Sequence, residues 1–222
     1  MTYRIARCTA EPPLDKNWND PAWSAARVVQ IDQFRPESSD HRPRTSARFL
    51  YTNDGICGIY KIDDQYVRSV RTEYCSDVWK DSCVEIFVQP RSDQGYFNLE
   101  MNAGGSHLTW YIEDPTRDTS GLKKWTAVPT EVGTTIQIRS SLPKIIDPEI
   151  TKPITWELSF FLPRKVLEQF VGPLGDFMGQ HWRGNFFKCA EEISHPHWAS
   201  WSPVDEFNFH LPRCFGTLVF DP

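Results

Sequence analysis

Alternation of apolar and polar positions with period two is clearest between Val78 and Asn102. Val84, Ile86 and Val88 share one face of the first run, while Trp79, Asp81, Cys83, Glu85 and Phe87 share the other. Pro90 stops that run and Gly95 precedes the next, in which Phe97, Leu99 and Met101 alternate with Tyr96, Asn98, Glu100 and Asn102. The pattern predicts an antiparallel strand pair with one wholly apolar face for a core. Its other face, carrying carboxylates, amides and aromatic rings, is predicted to look toward solvent.

The same reading predicts a hairpin from residues 47–51 and 56–62 around Asn53-Asp54-Gly55, a strong hairpin signal. A short strand over 27–31 precedes it, and an acidic turn follows at Asp63-Asp64-Gln65. Residues 106–112 place Leu108, Trp110 and Ile112 on one face and continue the meander; 125–131 and 134–139 read as a further hairpin turning at Gly133. Segments 155–162, 183–190 and 217–220 are strands. One helix is expected over 163–170, with Pro163 in its first turn and Gly172 just past its end. About ten short strands with one short helix imply an all-β antiparallel sandwich, and residues 1–222 are expected to form one domain.

Composition changes this picture in three ways. Aromatic residues make up 14% of the 222 positions, with nine Trp, more than a core of this size requires, so some rings are expected to stack on a ligand. A net charge of -5 with no basic run excludes a nucleic-acid backbone or an anionic membrane surface as the expected partner. The chain shows no signal-type apolar run and no membrane-length one, which leaves its compartment open between cytoplasmic and processed secreted. The six cysteines show no Cys-x-x-Cys pair and read mostly as reduced thiols, a Cys75–Cys83 bridge being the one alternative weighed.

Candidate chemistry gathers on the polar face of the strand pair. Glu85, Asn98, Glu100 and Asn102 offer planar hydrogen-bonding groups beside Trp79, and a sugar ring needs both a rack for its hydroxyls and a flat ring for its C–H face. A weak glycoside hydrolase using Glu85 and Glu100 is the catalytic alternative, since two carboxylates flanking a bond are its requirement. The aromatic segment 181–212, with Trp182, Trp198, Trp201, Phe207 and Phe209, is either a core lid or a ligand-gripping rim, and exposed rings could equally dock a protein. His195, His197, His210 and Cys189 are zinc-type residues without a zinc-box spacing, and Asp63 and Asp64 are candidate oxygens for calcium.

Two stretches carry a family resemblance. Trp79-Lys80-Asp81-Ser82-Cys83-Val84-Glu85-Ile86-Phe87 is similar to the Trp-x-x-Asp-Ser-Val-Glu-Ile-Phe pattern of the family 9 carbohydrate-binding modules, with one residue inserted or altered. Ser200-Trp201-Ser202-Pro203, followed by Phe215-Gly216-Thr217-Leu218, resembles that family's closing motifs, and Trp18-Asn19-Asp20-Pro21-Ala22-Trp23 resembles its opening. The resemblance implies a β-sandwich that binds saccharides or glycan chain ends between two aromatic rings without catalysis, with calcium as a structural ion and glycoside hydrolases as frequent companions. By position it implies Trp79 and Phe209 as the two walls, Phe209 standing where Trp is usual, and Glu85 as an acceptor. Asn98 stands in place of Arg, Glu100 in place of Asn, and Glu206 in place of an amide, so the sugar expected differs from a plain glucan end. Lys188 is expected to reach the carboxylates and orient them.

Overall fold

The computed structural model describes residues 1–8, 13–119 and 121–222. They hold more strands than the ten expected. The first are β1 (Thr2–Arg7), β2 (Val29–Ile31), β3 (Gln33–Phe34), β4 (Arg44–Thr52), β5 (Gly55–Asp64) and β6 (Val67–Ser69). The central pair is β7 (Cys83–Gln89) and β8 (Tyr96–Asn102), continued by β9 (His107–Asp118) and β10 (Gly121–Ala127). A one-turn helix, α1 (Thr130–Gly133), leads to β11 (Gln137–Ser140), β12 (Ile146–Ile150) and β13 (Ile154–Pro163). Then come α2 (Arg164–Val171), β14 (His181–Ala190), β15 (His197–Ser200) and β16 (Gly216–Phe220). No helix among the described residues is long and apolar enough to cross a membrane.

One sheet runs β10-β9-β8-β7-β14-β16-β1 and the other β4-β5-β13-β11, with β2 on the edge of β4. β1 joins them, pairing parallel to β16 and, further along, to β4; the other pairings are antiparallel. The two sheets face each other across the main core. Val84, Ile86, Val88, Phe97, Leu99 and Met101 meet Phe49, Tyr60, Ile62, Trp156, Leu158 and Phe160 there. Phe49 stacks on Phe186 with ring centres 4.3 Å apart, bridging β4 and β14. Gly58 is required by this packing, because a Cβ there would lie 2.6 Å from the rings of Phe49 and Phe160.

The apolar face of β7 and β8 therefore points where alternation placed it. Two elements differ from expectation. β10 and β11 form no hairpin: α1 intervenes, β10 pairs with β9 in one sheet and β11 with β13 in the other. Trp79 and Asp81 also do not continue the β7 alternation, because Val78–Lys80 is a 3-10 turn ahead of the strand. Asp81 is fully buried and ties that turn down, accepting bonds from the Val70 and Arg71 amides, the Arg71 guanidinium and Asn102 Nδ2. Asn102 is consumed by this brace and by the Ser106 amide rather than facing a ligand.

Candidate functional site

Register builds the site. β7 pairs with β8 so that Glu85 lies opposite Glu100 and Phe87 opposite Asn98, while β14 on the other side sets Phe187 against Glu85 and Cys189 against Cys83. In β9, Trp110 is opposite Asn98 and Leu108 opposite Glu100. These side chains share the outer face of the sheet, the one turned away from the sandwich core. That face is not open to solvent. One end is sealed by Val204, Leu211 and Phe215 packing on Phe87, Tyr96, Ile112 and Phe187; the other by Val78, Cys83, Leu108 and Cys189, with Trp79, Trp110, Trp198 and Phe209 against them.

Between the two seals lies a cavity of about 530 Å³ with Glu85 and Glu100 in its lining. Trp79 meets Trp110 edge to face at 5.9 Å, and Trp110 stacks on Trp125 at 4.2 Å. Phe209 stacks on Phe187 at 4.1 Å, and Trp198 meets Phe207 edge to face at 4.7 Å. All but Phe187 of these rings border the cavity, and Trp125 and Phe207 are the exposed ones, at 42% and 53%. Arg117 and Glu191 bring charge to the lining.

Glu85, Glu100 and Asn98 are buried, not solvated. Asn98 Nδ2 donates to Glu100 Oε1 at 2.7 Å and its Oδ1 accepts from the Trp110 amide at 2.7 Å, so Asn98 positions Glu100 rather than meeting a ligand. Glu100 Oε2 has no hydrogen-bond partner among the described residues. Glu85 Oε1 accepts from the Cys189 thiol at 3.0 Å, and its backbone carbonyl accepts from Tyr60 Oη across the core. Burial pushes Glu100 up to about 8. Burial, then the neighbouring Cys189 and Glu100, raises Glu85 well above the usual carboxylate range. A carboxyl kept neutral can donate as well as accept.

Trp79, Glu85, Glu100 and Phe209 are thus brought to one cavity, with Asn98 beneath. Two expected members are elsewhere. Lys188 lies opposite Val84 and so faces the core, where its Nζ donates to His197 Nε2 at 2.8 Å and sits 3.8 Å from Asp64 Oδ2. Alternation put it on the opposite face from Cys189, and pairing with β7 puts Glu85 on the Cys189 face. Glu206 is exposed and paired with Arg213 outside the lining. Trp198 and Phe207, from the aromatic segment expected to be either a core lid or a ligand-gripping rim, border the cavity, and Trp110 and Trp125 join it without having been expected there. For Trp110 the signal was present in its shared parity with Leu108 and Ile112, but only the β8–β9 register sets it beside Asn98.

The candidate metal sets do not assemble. His195 stacks on Tyr66, His197 bonds Lys188, His210 Nδ1 bonds Tyr96 Oη at 2.8 Å, and Cys189 bonds Glu85, so these four do not converge. Asp63 is taken by Arg44 and Thr155, and Asp64 by His41, Trp156 and Lys188. With an ammonium beside it, that pair does not fit calcium, which asks for six to eight oxygens. Cys75 and Cys83 are both thiols, with no bridge between them.

His210 gives a pH prediction. Burial, reinforced by the Arg117 charge, pushes it down to about 3, so its ring is neutral in the folded chain. A folded value below the ordinary one means the unfolded chain binds the proton first, so this contribution to stability is complete above about pH 6.5 and falls toward pH 3. Glu100, raised in the fold, acts in the opposite direction and is common to parent and variant. Between pH 7 and 5, His210→Phe is expected to gain about 2 kcal/mol relative to the parent, read by denaturant unfolding at both pH values.

Comparison with known proteins agrees with this fold. The family model described as carbohydrate-binding family 9 matches residues 22–220. No curated protein matches. Among solved structures, a Bacteroides uniformis protein described provisionally as carbohydrate-binding is 29% identical, with a TM-score of 0.83 over 100% of this chain and 98% of its own. A family 9 module from Caldicellulosiruptor kristjanssonii in complex with cellotriose shares the fold at 11% identity and a TM-score of 0.60, covering 100% of this chain and 94% of its own. A family 9 module of that organism in complex with glucose does so at 12% and 0.58, covering 98% and 95%. With the family model spanning almost the whole sequence and the sandwich shared throughout, the chain belongs to carbohydrate-binding family 9.

Proposed function

We propose that the cavity grips a saccharide, a glycan chain end or a short oligosaccharide, between aromatic side chains and performs no reaction on it. The observation that carries this reading is a buried carboxyl pair under a ring of aromatic residues, with Glu100 Oε2 lacking a partner among the described residues. A sugar hydroxyl supplies the missing hydrogen bond, and the C–H face of the ring lies on Trp79 or Phe209. The complexes of the two Caldicellulosiruptor modules with cellotriose and glucose support a saccharide as ligand class. Against hydrolysis stands the placement of Glu85 and Glu100 as cross-strand neighbours on one floor, where a hydrolase needs carboxyls flanking the bond. In this reading the protein serves polysaccharide breakdown carried out by a separate glycoside hydrolase.

Tryptophan fluorescence tests the proposal with a panel of glucose, cellobiose, xylobiose, galactose, glucosamine and N-acetylglucosamine. A saturable change with at least one sugar, and no reducing sugar released from longer glycans, is expected. No response to any member would shift the reading to a protein partner on the same rings.

A further inference from the structure

At the floor of the cavity, next to the saccharide-binding Glu85, stand two thiols that sugar binding does not use. Cys83 and Cys189 are cross-strand partners on β7 and β14, and Glu85 is two residues along β7 on the same face. One ligand atom from each, two sulfurs and a carboxylate oxygen, all lie within 4.8 Å of one another, and all three residues are buried. We propose that Cys83, Cys189 and Glu85 form a zinc site whose fourth position opens to the aromatic cavity.

Zinc is favoured by two sulfurs and one oxygen, because thiolates select soft or borderline ions over calcium and magnesium. In a tetrahedral zinc site, sulfurs and oxygens stand about 3.5 to 3.8 Å apart, from bonds of about 2.3 and 2.1 Å. The three atoms, now within 4.8 Å of one another, would close by about 1 Å to reach that spacing. Cys83 is held only weakly, its sulfur reaching the Val84 carbonyl at 3.7 Å and hydrogen-bonding the Cys189 thiol, which would join it as a ligand. Cys189 and Glu85 border the cavity, and Cys83 lies behind them, so the open position faces the ligand space. A second observation points the same way: Glu100, opposite Glu85 and only 4% exposed, has an Oε2 with no partner among the described residues, able to accept from a zinc-bound water or sugar hydroxyl. Binding exchanges both thiol protons and the proton on the buried Glu85 carboxyl for the ion and releases them to solvent. The site stands independently of which saccharide, or whether any, enters above it.

The test uses the full chain, stripped with chelator under reducing conditions and titrated with zinc and with cobalt. One zinc per chain should survive dialysis. The cobalt form should show sulfur-to-metal charge-transfer absorption and intense tetrahedral visible bands. Cys83→Ser with Cys189→Ser should abolish both, Glu85→Gln should weaken zinc by roughly 10-fold or more, and Cys75→Ser should change neither. Absence of thiolate bands in the parent overturns the proposal, whether or not the variants fold. So does equal zinc retention in the double variant, or a Cys83–Cys189 disulfide that excludes the ion in protein handled without reductant.

Discussion

Replacing Trp79 by alanine is expected to weaken saccharide binding by roughly 30-fold or more, while shifting the melting temperature by only a few degrees. The binding loss follows from removing a large ring beside a buried hydrogen-bonding group, the kind of residue whose truncation costs about 2 kcal/mol or more. The small effect on stability follows from its place. Trp79 sits in a 3-10 turn outside the sandwich core, half-buried, with its ring edge to face on Trp110. The turn itself is held by Asp81 and by the backbone, including the Trp79 carbonyl that Cys189 Sγ approaches at 3.5 Å, and these survive the change. Calorimetric titration with the best sugar and a thermal melt check it together. Unfolding by Trp79→Ala would make this ring a core plug and remove it from the site.

The largest effect on stability is expected at Lys188, the residue whose assignment the structure reverses. Lys188 and Asp64 are both fully buried at their side chains, in the core between the sheets. Burial alone would raise Asp64, but the Lys188 ammonium and a hydrogen bond from His41 hold it well below the usual carboxylate range. Lys188→Met leaves that carboxylate without its cation, and breaking a buried pair from one side costs about 3 to 5 kcal/mol. For a chain of 222 residues this corresponds to a melting temperature lower by about 10 °C. Because the folded value of Asp64 is depressed, its contribution is present above the ordinary carboxylate value and is lost as pH falls below it. The parent therefore loses this margin in acid, and the variant has little of it left to lose. Lys188→Met with Asp64→Leu should recover part of the loss, and folded Lys188→Met should bind sugar as the parent does, since neither residue borders the cavity.

Much of the architecture was legible because strand alternation is a local property. The faces of β7 and β8, the hairpin at Asn53-Asp54-Gly55, β13 and α2 all follow from residue order and turn chemistry. What the sequence hid was pairing at long range. Trp125 and Gln137 look like neighbours across a turn, yet α1 carries the chain from one sheet to the other. Short edge segments such as β3, β6 and β12 have too few residues to show a period. The candidate cavity was legible in Trp79, Glu85 and Glu100 through residue type and alternation, and in Phe209 through the family resemblance. It was illegible where cover decides the outcome: residues 201–215 fold over the outer face, turning the expected solvated Glu85 and Glu100 into buried carboxyls held by Asn98 and Cys189. Trp110 showed its face by parity with Leu108 and Ile112, but only register set it beside Asn98.

The most direct measurement is a crystal structure of the chain soaked or co-crystallised with whichever panel sugar gives the strongest response. The account predicts one saccharide ring in the cavity, its flat face against Trp79 or Phe209 and a hydroxyl within hydrogen-bond distance of Glu100 Oε2. A sugar bound elsewhere on the surface, with the cavity holding only water, would contradict it.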